Sequence, residues 1–141
     1  MTVEIVGKEP GHVYAGKHGI TVTATRSFSD VSLNNVLAVI IPGGLAPDKM
    51  WLHEEALALI RQANKDNIGI AAICHAGSVL FSAGIVSERR FTAYRSIRDD
   101  LLAANAKWID EPVVIDGNLI TSRTPHDLPQ FLPAILDAIS A

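Results

Sequence analysis

Two uninterrupted apolar runs, VLAVII at residues 36–41 and IGIAAIC at residues 68–74, constrain this chain more than any other feature. Neither alternates polar with apolar positions, and each stops at small or turn-forming residues: Pro42, Gly43 and Gly44 after the first, Ala76 and Gly77 after the second. A strand apolar on both faces needs cover on both, and that is the pattern of a central strand in a parallel sheet. Both runs fall far short of the ~20 residues that span a bilayer, so no membrane partner is expected.

Between the runs, Leu52, Ala56, Ile60 and Ala63 recur at helical spacing, predicting a helix from about residue 52 to residues 64–67. Glu54 and Glu55 fall in its first turn, where carboxylates suit the positive end of the helix dipole. A short apolar helix capped by Gly84 follows the second run. Strand, helix, strand, helix is the order of an α/β fold.

Residues 2–6 and 20–24 read as short strands, with Gly11, Gly16 and Gly19 punctuating a hairpin-like region between them. Ser96 and Asp99 have the spacing of a capping box, opening a helix to about Ala104 with Asn105 just beyond it. Residues 107–109, 113–116 and 119–122 read as strands, the last two joined by a tight turn at Gly117 and Asn118. A final helix runs to about Ile139 with Pro129 in its first turn. Pro133 would cost that helix about 3 kcal/mol unless it starts late or kinks. With no repeat, low-complexity tract or linker, the 141 residues read as one domain, long enough to bury a core without a disulfide or structural metal.

Apolar residues make up 48% of the chain and charged ones 19%, which excludes a disordered or coiled-coil chain. Twelve basic against fifteen acidic residues give a net charge of −3 with no block of either sign, so there is no basic footprint for nucleic acid. One cysteine and no leader-like start point to a reducing, cytoplasmic setting. The histidines form no i,i+4 pair and have no second cysteine beside them, and no glycine-rich phosphate loop occurs, so neither a metal nor a cofactor is expected.

Cys74 is the first candidate for chemistry. A lone cysteine is ordinarily a small buried hydrophobe. Here it stands where a buried strand stops and a helix begins, among Ala72, Ala76, Gly77 and Ser78. A sharp strand-to-helix turn needs small neighbours, holds its nucleophile in a strained conformation, and lies at a helix start, where thiolates are favoured. His75 follows directly; the residues alone leave it either a surface histidine or the thiol's proton partner. Gly43 and Gly44 either make the turn after the first run or also let backbone N–H groups approach a ligand as an oxyanion site. Glu54, Tyr94 and Arg123 each have a structural reading as a dipole, cap, ion-pair or surface residue.

The segments VIIPGGLAPDKMWLHEEAL, IGIAAICHAGSVLFSAGIV and FTAYRSIRDDLLAANAKWIDEPVVIDGNLITSRTPHDL, with the earlier AGKHGITVT, resemble the ThiJ/PfpI superfamily in its PfpI-type branch of intracellular cysteine peptidases and deglycases. The likeness covers nearly the whole chain from about Gly16, and the CHAG elbow combined with PGG and DGNLITSR makes it specific. It implies a flavodoxin-like, doubly wound and mostly parallel sheet with helices on both faces, similar to class I glutamine amidotransferases. It further implies that Cys74 is the nucleophile, that His75 is its histidine, and that Glu54 from an adjacent subunit orients that histidine, which makes the protein a homo-oligomer. Gly43, Gly44 and Ala76 match the oxyanion region, Tyr94 a pocket tyrosine and Arg123 a pocket-proximal arginine.

Members of this superfamily open with a central strand, a following helix and a glutamate that hydrogen-bonds the nucleophile. This chain opens with what resembles the second strand, so it reads as N-terminally shortened. The expected cause is truncation, and the expected consequence a poorly stable or interlocked oligomer. The activity implied is attack of a cysteine on a carbonyl, as an intracellular peptidase or a deglycase in stress protection. A redox-responsive stress protein without catalytic turnover and an inactive shortened member are the alternatives.

Overall fold

Short strands separated by glycine turns make up Met1–Asn34, the smaller of two units into which the computed structural model of residues 1–141 divides. Strands β1 (Val6–Gly7) and β4 (Arg26–Ser27) pair in parallel, while β2 (Val13–Ala15) and β3 (Thr21–Thr23) form an antiparallel hairpin. Its turn closes through the Gly16 N–H on the Ile20 carbonyl at 2.7 Å, with Gly19 at φ 85°. The strand expected at residues 2–6 is thus confined to its last position, and the one at 20–24 loses both ends. Val13–Ala15 escaped the sequence reading because all three residues are exposed and no burial pattern marks the strand.

In the larger unit, Asn35–Ala141, four strands form one sheet in the order β5 (Ala38–Ile41), β6 (Gly69–Ile73), β10 (Leu119–Ser122), β9 (Val113–Asp116). The first three are parallel and β9 is antiparallel to β10, joined to it by the expected turn, with Gly117 at φ 58°. β6 is the central strand anticipated from its sequence, with Ile70, Ala71 and Ala72 buried. The other apolar run corrects the reading. β5 lies at the sheet edge, hydrogen-bonded to β6 alone, and Ile40 is 57% exposed. A strand's own side chains specify that it is apolar, whereas the number of its neighbours is a property of the whole sheet.

The run from Leu52 also divides. A five-residue helix, α1 (Ala46–Met50), has Pro in its first turn, and α2 (Glu54–Lys65) starts after His53, whose extended backbone ends the intervening turn. Leu52 stays outside both helices and exposed, while Ala56, Ile60 and Ala63 are buried as expected. A 3-10 turn at Cys74–Ala76 leads into α3 (Gly77–Ala83), which Gly84 ends at φ 75°.

Strands β7 (Arg90–Phe91) and β8 (Lys107–Trp108) pair in parallel around a 3-10 turn at Arg95–Ile97 and α4 (Arg98–Ala103). The capping box does not form: no side chain caps α4, and the Ser96 hydroxyl is turned elsewhere. Asn105 does close the helix, at φ 64°, with its own N–H on the Leu102 carbonyl and the Ala106 N–H on the Leu101 carbonyl, both at 3.0 Å.

After a 3-10 turn at Pro125–Asp127, α5 (Leu128–Ser140) runs without a break through Pro133. That proline is on the exposed side, where the Pro129 carbonyl it leaves unbonded can meet water. Phe131 and Ile135 of α5 pack on Ala71 and Ile120, one face of the sheet, while α2 and α3 pack together with α2 against β6. The fold is a mixed α/β one, with a largely parallel sheet and helices on both sides. No helix is long and apolar enough to cross a membrane.

Candidate active site

Cys74 is the residue at which β6 turns into α3, and its φ of 62° puts a non-glycine residue in the left-handed region. Side chains at such angles cost about 1–3 kcal/mol and persist only where surrounding structure imposes them. The imposing contacts are visible. A Cβ built on Gly43 would stand 2.7 Å from the Cβ of Cys74 and 2.9 Å from the Ile73 carbonyl oxygen, so only glycine lets the strand end of β5 approach this closely. On the other side, a Cβ on Gly77 would meet Ala93, Ile97 and Phe91 at 2.9–3.1 Å. Room for the turn is therefore made by Gly77, three residues after the cysteine, and by Gly43, which comes from another part of the chain.

His75, like Cys74, is half-buried, and its Nδ1 lies 3.4 Å from Sγ of Cys74. Its Nε2 lies 3.2 Å from Oγ of Ser96, and its ring lies against Tyr94 with centroids 4.7 Å apart. The Tyr94 N–H donates to the Cys74 carbonyl at 3.1 Å, and the Ser78 hydroxyl to the His75 carbonyl at 2.6 Å. Tyr94 thus joins Cys74 and His75. Ala76 is fully buried within the 3-10 turn, and Gly44, at φ 77°, has open space where a side chain would stand. Ser96 has the spacing of a helix cap, and no sequence signal links it to a histidine 21 positions earlier.

Arg123 follows Ser122, which is in register with Ile73 on the neighbouring parallel strand, so Arg123 and Cys74 leave the sheet at the same carboxyl edge. There the Arg123 guanidinium grips Asp127 with two hydrogen bonds of 3.0 Å and Asp110 with a third. These bonds raise the pKa of Arg123, and those from Arg123 hold the Asp127 carboxyl below the usual carboxylate range. Glu54, at the start of α2, is exposed and bonded to Arg61 of its own helix. No three histidine, cysteine or acidic side chains gather closely enough to hold a metal.

The model of the DJ-1/PfpI family matches residues 1–138. Deglycase PfpI of Pyrococcus furiosus is 39% identical over 131 residues, covering 86% of this chain and 79% of the relative. Putative cysteine protease YraA of Bacillus subtilis is 35% identical over 130 residues, covering 92% and 77%. Among solved structures, a two-domain protein of Anabaena variabilis with DJ-1/ThiJ/PfpI-like and ferritin-like domains superposes with a TM-score of 0.94 at 34% identity. That match covers 97% of this chain and 40% of the Anabaena one. Drosophila melanogaster DJ-1beta gives a TM-score of 0.85 at 29% identity, covering 98% and 75%. A cysteine at a strained strand-to-helix turn, a histidine on its sulfur and a family match over nearly the whole length agree: the chain belongs to the DJ-1/PfpI family.

Proposed function

We propose that the chain is a cysteine-nucleophile enzyme that attacks a carbonyl carbon, acting as a deglycase or a peptidase in the cytoplasm and serving protection under stress. The observation that carries this reading is the 3.4 Å approach of Cys74 Sγ to His75 Nδ1 at a left-handed elbow. The names of the relatives, deglycase and putative cysteine protease, support the same class of chemistry.

In the amide case, the Cys74 thiol proton passes to Nδ1 of His75 as sulfur adds to the carbonyl carbon, and the carbonyl π electrons move to oxygen. Backbone N–H groups at Gly43, Gly44 and Ala76 hold that oxyanion, with Tyr94 lining the pocket beside them and Arg123 near it. Collapse of the adduct expels the amine, which takes the proton from His75 and leaves a thioester. Water then adds, giving its proton to the imidazole, and release of the acid returns the proton to sulfur. For an aldehyde-modified amine the same thiol addition opens the reaction. Glu54 of a second copy orients His75, which makes the working form a homo-oligomer.

Cys74→Ala is expected to abolish both release of free amine from a dicarbonyl-modified amino acid and cleavage of a fluorogenic peptide. Full activity in that variant would overturn the assignment.

A further inference from the structure

The two ring nitrogens of His75 have different partners, and the outer one is held from outside the elbow. Nδ1 faces Sγ of Cys74 at 3.4 Å, while Nε2 faces Oγ of Ser96 at 3.2 Å. A neutral imidazole carries one proton on one of these nitrogens, and a serine hydroxyl serves as donor or acceptor. If the proton sat on Nδ1, the nitrogen facing the thiol would have no lone pair with which to take its proton. We infer that Ser96 is a positioning residue for His75: its oxygen accepts the Nε2 proton and so keeps Nδ1 as the lone-pair nitrogen facing the thiol. The inference rests on the reading of Cys74 as a nucleophile.

The geometry is suited to the whole proton cycle. When the thiol proton moves to Nδ1, the Nε2 proton stays on its acceptor and no group has to rotate. The hydroxyl keeps its own proton to donate, so a carboxylate reaching this edge from a second copy would add to the bond rather than replace it. Ser96 is also held in place. Its 3-10 turn begins after Tyr94, which is hydrogen-bonded to the Cys74 carbonyl, and the next residue, Ile97, lies against Gly77. Since no side chain caps α4, the hydroxyl is not engaged by the helix it precedes.

The test combines histidine ring 15N shifts with alkylation of Cys74 by iodoacetamide at pH 7 and steady-state kinetics. In the unaltered protein His75 is expected to show the Nε2–H tautomer. In Ser96→Ala the shifts should move to a mixture of tautomers, and alkylation and kcat should each fall about fivefold with KM unchanged, the factor one neutral hydrogen bond supplies. Ser96→Thr should restore all three. Unchanged shifts and alkylation in Ser96→Ala, or no rescue by threonine, overturns the inference. The shifts and the alkylation need no substrate, so they judge Ser96 separately from the Cys74→Ala assay, which judges the enzymatic reading.

Discussion

At Cys74, backbone strain and chemistry coincide. The left-handed φ of 62° is held by the strand end at Gly43 on one side and by the packing of Gly77 against Ala93, Ile97 and Phe91 on the other. That strain makes the identity of the replacement matter once the sulfur is gone. Cys74→Gly is expected to be more stable than Cys74→Ala by about 1 kcal/mol in denaturant unfolding, because glycine adopts a positive φ at little steric cost. Equal stabilities would show that the elbow is unstrained. The position of Cys74 was legible from its neighbours, since a buried strand that ends among the small residues Ala72, Ala76, Gly77 and Ser78 leaves few other structures. The partner of His75 was not legible: Ser96 fits a capping box in sequence, and which acceptor or donor its single hydroxyl finds depends on a contact 21 residues away.

Among the elements, those with a strong period were readable and those defined by their surroundings were not. The buried face of α2 at Ala56, Ile60 and Ala63 followed from spacing, as did the β9–β10 hairpin from its two-residue turn. The turn separating α1 from α2 has no such mark, because Leu52 continues the helical spacing while lying outside both helices. The carboxyl end of β10 shows how an element can be tied down by charge. Arg123 clamps Asp127, which is nearly buried just before α5, through a two-point hydrogen bond. Asp127→Asn is expected to lower stability by about 1–2 kcal/mol near pH 7. Because the folded state holds the Asp127 pKa below its unfolded value, this contribution is complete above the ordinary aspartate value of about 4 and is lost as pH falls toward the lower folded value. Denaturant curves from pH 7 to pH 2 should therefore converge for the two proteins in acid. A constant gap over that range would contradict the assignment of the stabilisation to the ionised carboxylate.

For the molecule as a whole, one chain accounts for the cysteine, the histidine and the serine, while Glu54 is bonded to Arg61 of its own helix. If Glu54 serves the site of a second copy, then Glu54→Gln and Cys74→Ala should each be inactive alone and complement one another on mixing and re-equilibration. For random dimers about a quarter of wild-type activity is expected, because half are mixed and each mixed dimer holds one intact site. No recovery on mixing, or full activity of Glu54→Gln alone, would remove Glu54 from the site. The sequence by itself determined the α/β class, the central strand β6, the elbow at Cys74 and the family resemblance. These follow from local hydrophobicity, residue size and motif, which a chain carries wherever it is read. Only the tertiary structure decided that β5 lies at the sheet edge, that Ser96 faces His75 rather than capping α4, and that Arg123 is bound between Asp110 and Asp127. Each of these depends on which distant residue arrives alongside, and the folded packing, not the spacing along the chain, chooses among partners of equivalent chemistry.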